Sequence, residues 1–276
     1  MSRIQNAFKN GACGEASNKA FIGFVTGGDP SIEKTKEFVL EMIKAGADLV
    51  EIGIPFSDPI AEGPVIQEAN NRALAAGATV DKIFDLVSDL RKETDIPLVF
   101  LTYLNPVFRY GLCVNTDKNQ TGYDNFFKRC ADTGLDGIII PDLPFEEQPP
   151  VREAAGRHGI DLISLIAPTS QERIKEIAKS ASGFIYLVSS MGVTGVRSEI
   201  TTDLSSIVSA IKSVTDIPVA IGFGIHTPEQ ASQMSKIADG VIVGSAIVKI
   251  IAEHKNDSAK YVYNYTKEMN EAVKKG

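Results

Sequence analysis

Residues 50–63 of the chain read VEIGIPFSDPIAEG. The stretch begins as an apolar run that contains one acid, Glu51, and it breaks at Gly53 and Pro55 into a loop that holds a second acid, Glu62. Because an unpaired ionised carboxylate resists leaving water, an acid inside a buried-strand pattern serves chemistry or a fixed partner. A strand followed by such a loop is how barrel enzymes build their active sites.

The rest of the chain repeats this pattern of a short apolar run followed by a helical pattern. We predict strands at residues 21–25, 48–54, 97–103, 137–141, 162–167, 184–189, 218–222 and 240–244. We predict helices at residues 1–14, 32–45, 65–76, 80–93, 124–133, 146–158, 171–180, 204–214, 228–236 and from 246 onward.

Strands and helices that alternate in this way favour a parallel sheet, either open and doubly wound or closed into a barrel. The strands are continuously apolar, so both of their faces are expected to be buried. Eight units in 276 residues favour the closed form, since such a barrel needs about 250 residues. The predicted fold class is therefore α/β, a TIM barrel forming a single domain over residues 1–276. An extra N-terminal helix carries Ile4, Phe8 and Ala12 on one face.

A short phrase recurs before several strands: Gly46-Ala47-Asp48, Gly134-Leu135-Asp136 and Ile237-Ala238-Asp239. We interpret it as the turn that joins a helix to the next strand, on the face of the barrel that serves stability. The polar loop at residues 111–123 is unusually long, and a tolerated surface insertion is its simplest explanation.

Composition excludes several classes of function. The net charge of −7 gives no attraction to nucleic acid or to anionic membranes. Cys13, Cys113 and Cys130 have no paired spacing, which predicts free thiols in a reducing cytoplasm. The N-terminal residues lack the apolar core of a secretory signal, and no apolar run reaches membrane-spanning length. The three histidines have no metal-ligand spacing, so no metal site is predicted.

Glycines cluster after the last three predicted strands, and they indicate a phosphate site. Gly224, Gly244, Ser245 and the loop containing Gly195 would let backbone N–H groups converge on one anion. The N-terminus of the helix that starts at Ser245 adds partial positive charge. The same glycines are also compatible with tight turns alone, but two glycine pairs at these strands favour phosphate.

Glu51 and Glu62 form the second signal, because two carboxylates facing one pocket suit proton transfer in both directions. Burial should raise the pKa of Glu51 towards neutrality. A structural salt bridge is the alternative for Glu51, and a solvated loop charge is the alternative for Glu62. Apolar side chains at strand ends could form a flat slot beside the phosphate site, and they are Phe24, Leu101, Tyr103, Tyr186 and Phe223.

These residues resemble the α subunit of tryptophan synthase along nearly the whole chain. The matching phrases are VEIGIPFSDPIAEGPVIQEA, GIIIPDLPFEE, VSSMGVTGVR, GFGIHTPEQ and VGSAIV, in the family's order and spacing. The resemblance implies a TIM barrel that cleaves indole-3-glycerol phosphate to indole and glyceraldehyde 3-phosphate. It also implies no cofactor in this chain and an αββα complex with a β subunit, which carries pyridoxal phosphate and receives the indole.

The resemblance implies roles for single residues. Glu51 matches the catalytic glutamate, and Glu62 stands where the family has the aspartate that holds the indole N–H. Tyr186 matches the aromatic residue near the glutamate, and Thr194 matches the threonine of the closing loop. Further matches are Phe24, Leu101 and Phe223 in the indole slot and Gly195, Gly224, Gly244 and Ser245 in the phosphate cradle.

Two positions depart from the family pattern, and both bear on activity. Glu62 is one methylene longer than the family's aspartate, and a misplacement near 1 Å costs on the order of 100-fold in rate. Ser190 stands where many members have arginine. Residues 55–58 and Asn105 match segments that face the β subunit.

Two hypotheses therefore stay open. The first is a lyase that works mainly inside the β complex. The second is a weakly catalytic subunit that regulates the β subunit through ligand binding. Another phosphate-binding barrel enzyme would not explain the slot beside Glu51, and a glycosidase would not need the phosphate cradle.

Overall fold

The computed structural model describes residues 2–10, 19–112, 121–189 and 203–276. In these ranges the apolar runs form eight parallel strands in sequential order, and the last strand pairs with the first to close a barrel. The strands are β1 (Ala20–Thr26), β2 (Leu49–Gly53), β3 (Leu98–Leu101), β4 (Gly137–Ile139), β5 (Asp161–Ile166), β6 (Ile185–Val188), β7 (Val219–Gly222) and β8 (Gly240–Val243). The predicted TIM barrel is confirmed.

The helices surround the barrel or close one of its ends. They are α1 (Arg3–Asn10), α2 (Ile32–Lys44), α3 (Pro64–Ala75), α4 (Val80–Arg91), α5 (Leu104–Arg109), α6 (Tyr123–Thr133), α7 (Gln148–Arg157), α8 (Gln171–Lys179), α9 (Leu204–Lys212), α10 (Pro228–Ser235), α11 (Ser245–His254) and α12 (Ala259–Lys274). Ser31, Ser170 and Thr227 cap α2, α8 and α10 with side-chain oxygens, which satisfies backbone N–H groups at the helix starts.

One helix prediction was wrong, and one helix was not predicted. The predicted helix from residue 246 onward is two helices, because Lys255 takes a left-handed φ of 49° and ends α11 before α12 begins. Helix α5 was not predicted. It has only six residues, which is too short to show helical periodicity. The Asp142 carboxylate accepts a hydrogen bond from the Leu104 backbone N–H at 2.9 Å and supports the first turn of α5.

Helix α1 covers the N-terminal end of the barrel. Ile4 and Phe8 are buried in the cluster of side chains that fills the barrel interior, and the Phe8 ring centroid lies 5.6 Å from that of Phe184. A Cβ atom at Gly240 would lie 2.8 Å from the Phe8 ring, so the small residue lets the helix approach the strand ends closely. This end of the barrel is therefore filled with apolar side chains.

The recurring Asp before strands β2, β4 and β8 makes the same kind of hydrogen bond at each of the three positions. Each carboxylate accepts a hydrogen bond from a backbone N–H near the start of the preceding strand: Asp48 from Phe21 at 2.8 Å, Asp136 from Leu98 at 2.9 Å and Asp239 from Val219 at 2.8 Å. All three lie at the N-terminal ends of the strands, as the phrase predicted. None of the helices in the described ranges is long and apolar enough to cross a membrane.

Candidate active site

A cavity opens at the C-terminal ends of the strands, with about 740 Å³ of free space when its open mouth is included. Its walls are mostly apolar, and a few polar groups converge on it, which is the usual character of a small-molecule site. The predicted residues that line it are Phe24, Glu62, Leu101, Tyr186, Phe223, Gly224, Gly244 and Ser245. Thr194, Gly195 and Ser190 lie outside the described residues.

Glycines and a serine form one side of this cavity. Gly224 follows β7 with a φ of +81°, and Gly244 precedes Ser245, the first residue of the ten-residue helix α11. The Gly244 N-cap makes no side-chain hydrogen bond, so backbone N–H groups in the first turn of α11 remain available to a ligand. This arrangement suits an anion such as phosphate.

Phe223, directly before Gly224, has a conformation that is rare for residues with a Cβ atom. Its φ is +74°, in the left-handed region. The Ser189 hydroxyl donates a hydrogen bond to the Phe223 carbonyl at 2.6 Å, and the Tyr186 ring packs edge-on with centroids 6.0 Å apart. Strain of this kind costs about 1–3 kcal/mol, and it persists where the surroundings hold it.

Two further glycines give the rings of the slot their space. A Cβ atom at Gly53 would lie 2.8 Å from the Phe24 ring, and a Cβ atom at Gly222 would overlap the phenol of Tyr186. Larger residues at either position would push these rings out of place. The backbone of β2 and β7 therefore helps to define the flat apolar part of the cavity.

Glu51 points into the barrel from β2, where it pairs in register with Phe24 on β1 and Val99 on β3. The side chain is 1% exposed, and among the described residues its Oε1 atom has no hydrogen-bond partner. Burial raises its pKa to about 8, so the carboxyl group is mainly protonated at neutral pH. The alternative of a structural salt bridge finds no support in the described residues, since no ion pair to Glu51 forms there.

Glu62 lines the cavity directly, in the loop between β2 and α3. Burial, together with the nearby Asp142 charge, raises its pKa to about 7. Its Oε2 atom accepts a short hydrogen bond from the Tyr103 hydroxyl, which in turn accepts one from the Ala61 backbone N–H at 2.9 Å. Glu62 is 5% exposed, so it is not a solvated loop charge.

Tyr103 was predicted to line the apolar slot, and the structure places it elsewhere. It is the N-cap residue of α5, its ring stacks on Phe56 at 5.1 Å between centroids, and it does not line the cavity. Its hydroxyl group instead holds the loop that carries Glu62. Tyr186, by contrast, lies within electrostatic range of both acids: burial raises the pKa of its phenol, and the Glu51 and Glu62 charges add to the effect.

An ion pair between a buried carboxylate and a partly exposed guanidinium group fixes the position of α3, the helix that follows Glu62. Arg72 of α3 donates two hydrogen bonds, at 3.0 and 2.7 Å, to the Asp29 carboxylate in the loop after β1. Asp29 is 3% exposed, and such bidentate pairs specify geometry as well as charge. The loop that carries Glu62 is thus anchored at Tyr103 on one side and through α3 on the other.

Sequence reasoning did not identify several residues that line the cavity: Ala61, Ile66, Pro141, Leu165, Ile225, His226, Ile242 and Ala246. Most are apolar, and only Leu165 and Ile242 lie on strands; the others come from loops and helix starts whose positions depend on the folded chain. His226 carried a usable signal, because it comes two residues after Gly224 in the loop that was assigned to phosphate. Within the described ranges, no group of three or more His, Cys, Asp or Glu side chains could hold a metal ion.

Comparison with known proteins agrees with this geometry. The sequence model of the family described as tryptophan synthase alpha chain matches residues 11–275. The chain belongs to the tryptophan synthase alpha chain family. It is 51% identical to the tryptophan synthase alpha chain of Lacticaseibacillus casei over 99% of this chain and 96% of that protein. The corresponding protein of Lactiplantibacillus plantarum is 48% identical over 99% and 97%.

Solved structures of alpha chains share the fold. The tryptophan synthase alpha subunit of Legionella pneumophila superimposes with a TM-score of 0.84 at 34% identity, covering 99% of this chain and 98% of that one. A chain from the tryptophan synthase complex of Pyrococcus furiosus gives a TM-score of 0.80 at 34% identity, covering 91% and 98%. The alpha-chain barrel is therefore present here over nearly its full length.

Proposed function

We infer that this chain is the lyase subunit of tryptophan synthase. It cleaves indole-3-glycerol phosphate to indole and glyceraldehyde 3-phosphate in tryptophan biosynthesis. The observation that carries the assignment of roles is Glu51, a buried acid whose Oε1 atom has no described partner. It neighbours Phe24 and Tyr186, which line an apolar cavity whose other side suits phosphate. An uncompensated buried carboxyl group costs stability, and a role in chemistry accounts for it.

The reaction is a retro-aldol cleavage that moves one proton. Protonated Glu51 donates its proton to C3 of the indole ring, which turns the ring into an electron sink. The bond between C3 and the glycerol chain then breaks, and its electrons return to the ring. The Glu51 carboxylate takes the proton of the neighbouring glycerol hydroxyl as that carbon becomes the aldehyde. The acid is thereby regenerated, and a pKa of about 8 suits both directions near neutral pH.

Glu62 acts in its ionised form in this proposal. Its carboxylate accepts the indole N–H and stabilises the positive charge that develops on the protonated ring. The Tyr103 hydroxyl steers the longer side chain, since it binds one oxygen and leaves the other for substrate. This hydrogen bond from Tyr103 would let Glu62 take the role of the family's aspartate although its side chain is longer. Phe24, Leu101, Tyr186 and Phe223 would hold the ring, and Gly224, Gly244 and Ser245 the phosphate.

The partner is the tryptophan synthase β subunit, with which the chain forms an αββα complex. One related structure is described as the a2b2 complex of Pyrococcus furiosus, with mutual activation of its subunits. Pyridoxal phosphate belongs to the β subunit, and this chain uses no cofactor. We further propose that residues 1–276 form one domain and that Thr194 and Gly195 complete the site; the cytoplasmic location also stays a prediction.

The test is the Glu51→Gln substitution in the complete chain combined with its β subunit. We expect indole release from indole-3-glycerol phosphate to fall at least about 1000-fold, because amide nitrogen cannot replace the acid. Glu68→Gln, an exposed acid on the outside of α3, is the matched control and should leave turnover unchanged. Turnover retained by Glu51→Gln would refute the assigned role.

A regulatory subunit is the second candidate, and the longer Glu62 side chain is the observation that favours it. If this candidate were right, the wild-type complex would bind indole-3-glycerol phosphate and change the rate of the β reaction, but would release no indole. Glu62→Asp would then restore cleavage. We expect instead that the wild-type complex cleaves the substrate and that Glu62→Asp changes the rate by less than about tenfold.

A further inference from the structure

We infer that His226 is a ligand of the substrate's phosphate group, in addition to the backbone cradle. The inference rests on the proposed function, which places phosphate beside Gly224, Gly244 and Ser245. His226 lines the same cavity as these three residues and is the one histidine that does so within the described ranges. It lies in the loop between β7 and α10, on the side of the cavity where that cradle is.

The backbone of His226 is fixed from two directions. Its N–H donates to the Gln230 Oε1 atom at 2.9 Å, and its carbonyl accepts a hydrogen bond from the Tyr265 hydroxyl at 2.9 Å. Gln230 and Thr227 also form the reciprocal cap that begins α10. A residue held this firmly is pre-organised for binding, so little entropy is lost when a ligand meets its ring.

The imidazole ring is oriented as well. Its Nδ1 atom lies 2.8 Å from the Gly224 carbonyl oxygen. A carbonyl oxygen only accepts, so Nδ1 carries a proton. No described residue forms a hydrogen bond with Nε2, which leaves this atom for a ligand. The ring of this cavity-lining residue is therefore fixed at Nδ1 by the phosphate-side glycine, while Nε2 has no described partner.

The chemistry of that nitrogen matches an anion. With Nδ1 already protonated, Nε2 donates only when the ring is an imidazolium, which brings a positive charge to the ligand. The remaining phosphate ligands of this proposal, backbone N–H groups and the Ser245 hydroxyl, are neutral. A charge-assisted hydrogen bond is roughly twice as strong as a neutral one, so His226 should add clearly to phosphate affinity.

Two substitutions separate the two ring nitrogens. Asn at position 226 places an N–H near the position of Nδ1 and keeps the bond to the Gly224 carbonyl, but it has nothing at Nε2. Gln places an N–H near Nε2 and gives up the Nδ1 bond. A phosphate ligand predicts that His226→Asn is the more damaging change, whereas a purely structural residue predicts the reverse.

The measurement is calorimetric binding of glycerol 3-phosphate to the complete chain, with indole as the ligand that lacks phosphate. We expect His226→Asn to weaken glycerol 3-phosphate about tenfold or more and His226→Gln to weaken it less than about threefold. Indole affinity should stay unchanged in both variants, and the thermal midpoint should fall only in His226→Gln, which loses the Nδ1 hydrogen bond to Gly224. In turnover, His226→Asn should raise KM for indole-3-glycerol phosphate and leave kcat nearly constant.

The inference is overturned if both variants bind glycerol 3-phosphate like the wild type, or if His226→Gln is the weaker binder. It is also overturned if indole affinity falls as much as phosphate affinity. A readout on the unmodified chain is ¹⁵N-histidine labelling, which gives three ring systems, His158, His226 and His254. Glycerol 3-phosphate should shift the His226 Nε2 signal alone. Binding of this probe does not require turnover, so failure of the lyase assignment and failure of the ligand assignment remain distinguishable.

Discussion

The two ends of this barrel differ in how their buried polar groups are paired, although the same strands build both. At the N-terminal end, Asp48, Asp136 and Asp239 each accept a strand N–H and face a cation, Lys274, Arg91 and Lys212 respectively. Five buried side-chain oxygens have no partner among the described residues. Thr26 Oγ1, Glu51 Oε1 and Thr102 Oγ1 lie within or directly after β1, β2 and β3, towards the cavity, and Thr266 Oγ1 and Asn270 Oδ1 lie on α12. Phe223 at the C-terminal end is also held in the left-handed region.

This difference separates stability from chemistry within one fold. Satisfied carboxylates and the apolar side chains of α1 favour the folded state at one end. Unpartnered oxygens and a strained backbone oppose folding at the other end, and they persist because the packed barrel holds them. The comparison can be tested by changing one end at a time, and each change should affect the property that belongs to its own end.

The largest expected effect is on the pH dependence of stability in Glu51→Gln. Burial raises the folded-state pKa of Glu51 to about 8, above its unfolded value. The wild type therefore has the full stability contribution at low pH and loses it as the pH rises through about 8. The loss is at most about 1.4 kcal/mol per pH unit. Gln has no such titration, so the variant should gain on the wild type between about pH 5 and pH 8.

Urea unfolding at several pH values in this range measures the difference. Glu68→Gln, with an exposed carboxyl group, serves as the control and should follow the wild type at each pH. Parallel curves for the wild type and Glu51→Gln would mean that the buried carboxyl group is not held in its neutral form.

The next largest effect is a loss of stability at the N-terminal end of the barrel. Phe8→Ala removes a ring that packs on Phe184 inside the barrel, so it should cost about 3 kcal/mol of unfolding free energy. Turnover per folded molecule should stay within about twofold, because the cavity lies at the opposite end of the strands. Lys9→Ala, an exposed change on the same helix, controls for altered helix propensity. A large loss of kcat in Phe8→Ala would show that the two ends are coupled.

How far the sequence predicts this structure follows from the same comparison. The strands were placed within about two residues because continuous apolar runs bounded by Gly and Pro are a local signal. The helix caps were also predictable from a local signal, and the structure confirms them at Ser31, Ser170 and Thr227. The stability-side phrase ending in Asp was predictable because it repeats. Helix α5 was missed because six residues carry too little pattern, although Asp142 stabilises its start.

The chemical end was only partly predictable. Glu51 is identifiable as an acid within an apolar strand. Its inward direction is not, because both faces of the strand are buried and no alternating pattern distinguishes them. That Tyr103 leaves the slot and binds Glu62, or that His226 lines the cavity, depends on how loops from different strands meet in space. Contacts between loops leave no periodic trace in a sequence, so they become visible only in the folded chain.

A smaller effect should come from Tyr103→Phe at the chemical end. Removing the hydroxyl group takes a donor from Glu62 and an acceptor from the Ala61 N–H, so kcat/KM should fall about tenfold. Loss of a donor to the carboxylate raises the Glu62 pKa above about 7. Because the ionised form holds the indole N–H, the acid limb of the kcat/KM profile should move to higher pH.

Tyr110→Phe is the matched control for this change, since its hydroxyl group donates to Asp81 on the exposed exterior of the barrel. It should leave the pH profile in place. If Tyr103→Phe lowered kcat/KM without moving the acid limb, Tyr103 would act on loop position alone and not on the charge of Glu62.

The smallest effect concerns Ile60, an apolar side chain that is 74% exposed in the same loop as Glu62. Exposed apolar groups of this kind contribute little to the fold of the free chain, so Ile60→Ser should change unfolding free energy by less than about 0.5 kcal/mol. The loop adjoins residues 55–58, which we predict to face the β subunit. Covering Ile60 in the complex would stabilise association, and the substitution should weaken β binding about fivefold.

Leu74→Ser, on the outside of α3 with 37% exposure, should leave β binding unchanged. If both variants lost the same affinity in a β-subunit titration, Ile60 would have no specific role in the interface. Its exposed side chain would then serve some other contact.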